Sequence, residues 1–277
     1  MTANRLKTRF AACAAEGRAA FVAYIMAGDP DLETAFEALQ ELPGAGADVI
    51  ELGMPFSDPM AEGPTIQRAA QRSLAAKTRM ADVLAMVGRF RVRDGATPIV
   101  LMGYLNPVLS RGYERFAREA AEAGVDGLII VDCPPEEADP LTDALEAAGL
   151  SLVRLATPTT DEKRLPAVVR RTSGFVYYVS VAGVTGVKEA DAAAVARPVQ
   201  RLKDASGLPV AVGFGIRTPE RAAEVARIAD GVVVGSALVD EIEGALAAGA
   251  NENVTERVLS KAAQLAKAVR SARVRDA

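Results

Sequence analysis

The feature that most constrains this chain is a set of eight short apolar runs, rich in β-branched residues and continuous rather than alternating. They are Phe21–Ala27, Val49–Gly53, Pro98–Gly103, Gly127–Val131, Leu150–Ala156, Gly174–Ser180, Leu208–Val212 and Gly231–Gly235. A strand that is apolar at every position is buried on both faces, as in a parallel sheet covered by helices. Segments with helical spacing lie between the runs, among them Thr34–Leu42, Tyr113–Ala123 and Thr218–Ile228. This alternation predicts parallel strands joined by crossovers. An internal echo supports a repeated unit: Gly46-Ala47-Asp48, Gly124-Val125-Asp126 and Ala229-Asp230 each precede a run. The first two glycines suit a left-handed helix end.

Eight strand–helix units within 277 residues predict an α/β fold, a single (β/α)8 TIM barrel over residues 1–277. A doubly wound sheet would call for a glycine-rich dinucleotide fingerprint after the first strand, and Ala27-Gly28-Asp29-Pro30 is not one. Arg5–Glu16 places Leu6, Phe10 and Cys13 on one face, which predicts an extra N-terminal helix over the barrel bottom. Val254–Ala272 reads as the last helix.

Several function classes fall away. The net charge of −4, with no basic block, argues against a nucleic-acid partner. No apolar window is long enough to span a membrane, and residues 1–18 lack the apolar core of a signal peptide. Two distant cysteines, Cys13 and Cys133, suit a reducing, cytoplasmic setting and read as packing residues. The chain has no histidine, which removes Ser-His-Asp and Cys-His catalysis and imidazole metal sites, so no metal is expected. None of the seven lysines lies in a predicted strand, against a Schiff-base aldolase. Proton chemistry then falls to carboxylates.

In such barrels the site lies at the C-terminal ends of the strands. Asp48, Asp126 and Asp230 stand at strand starts and read as capping or turn residues. Glu51 and Asp132 stand near strand ends. Glu51 reads either as a catalytic acid or as half of a structural ion pair, and Asp132 as structural. The segment Glu51–Gln67 holds three prolines and two glycines, which predicts an ordered loop at the functional face. Glu62 within it either points back into the mouth or is a solvated loop acid, and position alone favours the latter. Glycines close three consecutive late strands, in Gly183-Val184-Thr185-Gly186, Gly213-Phe214-Gly215-Ile216 and Gly235-Ser236-Ala237. Backbone N–H groups there, with a helix N-terminus, suit a phosphate. Tyr24, Met102, Tyr104, Ile129, Leu155, Phe175 and Tyr177 are candidates for an apolar pocket wall, those at strand ends above all.

The run Glu51-Leu-Gly-Met-Pro-Phe-Ser-Asp-Pro-Met-Ala-Glu-Gly-Pro-Thr-Ile-Gln67 closely resembles the signature of the tryptophan synthase alpha subunit family. The likeness extends through Gly28-Asp29-Pro30, Tyr104-Leu105-Asn106-Pro107, Asp132-Cys133-Pro134 and the three glycine motifs. The resemblance implies a (β/α)8 barrel that cleaves indole-3-glycerol phosphate by a retro-aldol reaction to indole and glyceraldehyde 3-phosphate. It implies Glu51 as the acid–base, Glu62 as the acid that meets the indole N–H, and Tyr177 beside them. The family's second acid is usually aspartate, so Glu62 is a departure, one methylene longer. Tyr24, Tyr104, Thr185, Gly186, Gly213, Gly215, Gly235 and Ser236 fall at substrate and phosphate positions, with Thr185 meeting the second acid. At the place of a family arginine stands Val181, so no such contact is expected. Pro55, Asp58, Asn106 and Pro107 fall on the surface that faces a beta subunit in an α2β2 complex. Pyridoxal phosphate is expected only in that partner, and no cofactor in this chain. Three other readings remain: a sugar-phosphate isomerase on the same barrel, a degenerate subunit that only activates its partner, and a free-standing indole-releasing lyase that needs none.

Overall fold

The computed structural model describes residues 4–180, 192–213 and 215–273. The strands are β1 (Ala20–Met26), β2 (Val49–Gly53), β3 (Ile99–Gly103), β4 (Gly127–Ile130), β5 (Ser151–Ala156), β6 (Val176–Val179), β7 (Val210–Gly213) and β8 (Gly231–Val234). They pair in parallel in chain order, and β8 closes on β1 from Ala20↔Gly231 to Ala23↔Val234. Each strand begins and ends within two residues of a predicted run. The predicted helices form as Leu32–Glu41, Tyr113–Ala123 and Pro219–Ile228. Gly46 and Gly124 both take positive φ, 105° and 94°, and Gly124 is the left-handed cap of Tyr113–Ala123.

Pleating sorts each strand between two cores. Phe21, Ala23 and Ile25 of β1 and Ile50 and Leu52 of β2 pack outward against the helices. Val22, Val49, Val100, Ile129, Val153, Ala211 and Val233 fill the barrel. The N-terminal helix Arg5–Ala15 closes the bottom: its Leu6, Phe10 and Cys13 join the inner cluster, and the Phe10 ring lies 5.3 Å from Phe175. Phe175 is thus a floor residue, far from any strand-end pocket wall. Burial, then the Asp48 charge, pushes the Cys13 thiol up to about 12, as suits a packing residue.

The strand-start aspartates repeat one device. Asp48, at the start of β2, accepts from the Phe21 N–H of β1 at 2.9 Å and from Arg18 at 2.7 and 2.9 Å. Asp126, before β4, accepts from the Ile99 N–H of β3 at 2.8 Å and from Arg5 and Arg91 at 2.9 and 2.8 Å. Asp230, before β8, accepts from the Val210 N–H of β7 at 3.0 Å and from Lys203 at 2.8 Å. Each ties a strand to its predecessor and carries a cation, so its burial is compensated. Asp132 is structural too, accepting the Leu105 N–H at 2.7 Å where a helix begins after β3.

At the other end, β2 leads through an open loop to the helix Pro64–Ala75, with Pro64 at its first position. A second helix, Met80–Arg91, follows before β3. The last helix, Val254–Ser271, packs on Leu32–Glu41, Pro219–Ile228 and Ser236–Ala247. Among the described residues no helix is long and apolar enough to cross a membrane.

Candidate active site

Glu51 is the third residue of the five-residue β2, inside the strand rather than at its end. It shares the inward row with Val49 and Gly53, above the apolar barrel filling. In register it faces Tyr24 on β1 and Val100 on β3. Its side chain is 2% exposed, and Oε2 has no hydrogen-bond partner among the described residues. Among the described residues no cation acts on it: burial, then the charge of Glu62, pushes the carboxyl up to about 8. The ion-pair reading of Glu51 therefore falls.

Glu62 closes the loop after β2, one residue before the cap of Pro64–Ala75. It is buried, not solvated, and lines the same cleft as Glu51. Burial raises it to about 7. Its carbonyl accepts from Gln67 Nε2 at 2.9 Å and its N–H reaches the Pro59 carbonyl at 3.1 Å. Glu51 and Glu62 are two buried carboxyls, both raised toward neutrality, with no counter-ion among the described residues; that is the electrostatic setting in which a carboxyl can exchange a proton near neutral pH.

Tyr24 and Tyr177 complete the polar lining, and both phenols are driven well above their ordinary range by burial and the neighbouring glutamates. Both fit because a glycine faces them. A Cβ on Gly53 would stand 2.3 Å from the Tyr24 hydroxyl, and one on Gly213 2.3 Å from the Tyr177 hydroxyl. Gly213 ends β7 level with Val179, and its lack of a side chain leaves room for the Tyr177 hydroxyl. Ile66, Met102, Ile216 and Val233 supply the apolar walls of a cleft of about 710 Å³, open mouth included. A second, wider cavity opens beside it, sharing Glu62, Met102 and Tyr177 and reaching Leu155 and Cys133.

The far end of the cleft is lined by Gly215, Ile216, Arg217, Gly235 and Ser236. Gly235 caps the twelve-residue helix Ser236–Ala247, so unsatisfied N–H groups and the positive end of its dipole meet the cleft. Arg217 was not singled out in the sequence; it follows the Gly215-Ile216 turn and pairs with Asp240, which also accepts from Thr65 Oγ at 3.1 Å. Thr185, Gly186, Val181 and Phe214 lie outside the described residues.

Tyr104 stands behind the loop. Its hydroxyl accepts the Ala61 N–H at 2.9 Å, and its ring stacks on Phe56 at 5.2 Å. Of the residues expected to face a partner, Asp58 and Asn106 are exposed and Pro55 and Pro107 half-buried. On the same two segments, Met60 is 82% exposed and Leu109 52% exposed. Neither was predicted, because an apolar residue in a short loop or helix carries no periodic sign of its exposure.

A closed parallel barrel with an unpaired carboxyl pair over an apolar floor, beside a helix N-terminus, defines an acid–base enzyme for an anion with an apolar body. Comparison with known proteins narrows the class. A family model described as tryptophan synthase alpha chain matches residues 10–270, and the chain belongs to that family. The tryptophan synthase alpha chain of Caulobacter sp. (strain K31) is 72% identical over 274 residues, 99% of each chain. That of Phenylobacterium zucineum is 70% identical, covering 99% of this chain and 98% of its own. Among solved structures, tryptophan synthase subunit alpha from Legionella pneumophila superposes with a TM-score of 0.89 at 42% identity, over 96% of this chain and 98% of that one. Mycobacterium tuberculosis tryptophan synthase gives 0.86 at 40% identity, with 96% and 98% covered. The chain is thereby an enzyme, the lyase component of a tryptophan synthase.

Proposed function

We propose that this chain cleaves indole-3-glycerol phosphate to indole and glyceraldehyde 3-phosphate, with Glu51 moving both protons. The observation that carries this is the buried Glu51 carboxyl, whose Oε2 has no partner among the described residues, in one cleft with Glu62. The retro-aldol step needs a proton delivered to indole carbon 3 and one removed from the adjacent side-chain hydroxyl as the carbon–carbon bond breaks. A carboxyl raised to about 8 holds its proton at neutral pH, so Glu51 starts as the acid. After delivery it is the carboxylate that takes the hydroxyl proton, and the enzyme returns to its starting state.

Protonation of carbon 3 puts positive charge on the indole nitrogen. Glu62, titrating near 7, supplies the carboxylate that meets the N–H, a preorganised counter-charge in a water-poor site. Met102, Ile66 and Val233 receive the ring. Gly215, Gly235 and Ser236 receive the phosphate through backbone N–H groups. Tyr177 and Tyr24 wall the carboxyl pair, while Thr185 and Gly186 keep the substrate-loop roles that the resemblance implies.

The exposed Met60 and Leu109, with Pro55, Asp58, Asn106 and Pro107, form the face on which a pyridoxal-phosphate beta subunit would dock in an α2β2 complex. The test is indole release from indole-3-glycerol phosphate by the chain alone and with a beta subunit, beside Glu51→Gln. Weak release alone, a large rise with the partner and loss in the variant are expected. Absence of indole under both conditions, from a folded chain, refutes the reading.

A further inference from the structure

The loop between β2 and the helix Pro64–Ala75 has little to hold it. Residues 55–61 include Pro55 and Pro59, which have no N–H to give. The Met60 and Glu62 N–H groups are used within the loop, on Asp58 and Pro59 at 2.8 and 3.1 Å. Among the described residues, the hydrogen bond that ties this stretch to the barrel is the one from the Ala61 N–H to the Tyr104 hydroxyl, 2.9 Å. Tyr104 follows β3 directly, is 3% exposed, and has its ring stacked on Phe56 of the same loop. It grips the loop twice, and the second grip falls on the residue before Glu62.

We propose that Tyr104 is a positioning residue: its hydroxyl anchors the chain at Ala61 so that the Glu62 carboxyl is held in the cleft opposite Glu51. The proposal rests on the role given to Glu62 above and adds what keeps that side chain in place. A glutamate has one more rotatable bond than an aspartate, so its aim depends more on the backbone that carries it. A displacement of about 1 Å at a catalytic group is enough to cost about 10²-fold in rate. Tyr104 lines neither of the two cavities described above, and its hydroxyl accepts the Ala61 N–H.

The experiment is a double-mutant cycle on indole release from indole-3-glycerol phosphate, in the complex with the beta subunit. Tyr104→Phe keeps the ring and its stack on Phe56 and removes only the acceptor. The expected result is a kcat loss of about tenfold or more with KM changed less than about threefold, since the group displaced acts mainly on the transition state. In a Glu62→Gln background the same change should cost less than about twofold, because the carboxylate it positions is already gone. Urea unfolding of Tyr104→Phe reports whether the barrel is intact. An equal loss in both backgrounds overturns the proposal, as does a Tyr104→Phe enzyme of full activity beside a crippled Glu62→Gln. A fully active Glu62→Gln overturns the role of Glu62 itself, and that failure is read from the single variant before Tyr104 is touched.

Discussion

Replacing Glu51 by glutamine should make the protein more stable in alkali while it destroys the activity. Burial pushes the carboxyl up to about 8 in the folded chain, against an ordinary glutamate value of 4.5, a gap of about 3.5 pH units. For an acid with a raised folded pKa the sign is unfavourable: the folded state keeps a proton that the unfolded state releases. Below pH 4.5 both states are protonated and the group contributes nothing to the pH dependence. Between 4.5 and 8 wild-type stability falls by about 1.4 kcal/mol per pH unit from this group, and above 8 the penalty levels at about 5 kcal/mol. Glutamine has the same shape and no charge, so it removes the slope. Its amide adds a constant cost of about 1–3 kcal/mol for buried donors without partners. The two stability curves should therefore cross, with the variant weaker near pH 4.5 and stronger at pH 9. Urea unfolding at half-unit pH steps gives the difference directly. A difference that stays flat from pH 5 to 9 would refute the claim that Glu51 is buried without a counter-charge. Indole release by the same variant should drop about 10²–10⁴-fold, the usual share of a general acid–base.

Three further outcomes follow from the geometry. Gly213→Ala sets a methyl 2.3 Å from the Tyr177 hydroxyl, so the phenol must move by more than about 1 Å; unfolding should ease by about 1–3 kcal/mol and indole release fall about 10²-fold. Tyr177→Phe in that background removes the hydroxyl that the methyl meets first and should recover part of the loss, and a loss that the second substitution leaves whole would show that the clash lies elsewhere. The pH profile of kcat/KM should be bell-shaped, rising as Glu62 ionises near 7 and falling as Glu51 loses its proton near 8, with both limbs belonging to the coupled pair; a plateau from pH 5 to 9 would contradict the assignment. Asp126→Ala strips Arg91, Arg5 and the Ile99 N–H of their acceptor at the barrel bottom. It should cost about 3–5 kcal/mol in urea unfolding and leave kcat of the folded fraction unchanged, so a specific loss of kcat would break the division between the two barrel ends.

The barrel was legible because its strands are buried on both sides. A run such as Val49–Gly53 or Gly231–Gly235 has no polar position to confuse with a helix face, and the observed strands end within a residue or two of the runs. The floor helix was legible from Leu6, Phe10 and Cys13 alone. Other features were not. Phe175 sits in an apolar run like the pocket candidates, and only the packing of Phe10 on it places it at the floor. Tyr104 looks like any strand-end tyrosine until the Ala61 N–H is found on its hydroxyl. Met60 and Leu109 are ordinary apolar residues in the sequence, and their exposure depends on what the fold leaves uncovered.

The carboxylates show why such limits arise. Asp48, Asp126 and Glu51 are all acids beside or within β-branched runs, and all are nearly buried in the fold. Spacing separates them by barrel end, which sorts structural from chemical residues on average. What distinguishes their physics is the company each keeps. Asp48 has the Arg18 fork and a backbone N–H, and Asp126 has two arginines and a backbone N–H. Glu51 has an oxygen with no partner and a second acid opposite. The arginines that settle Asp126 come from 121 and 35 residues away, distances at which no local pattern speaks. Glu62 is the sharper case. Its place in a proline-broken loop predicts solvent, and its burial comes from a loop folded inward and held by Tyr104 and Gln67. A buried charge that the fold leaves uncompensated lowers stability without contributing to it, and a chain retains one where that charge does chemistry.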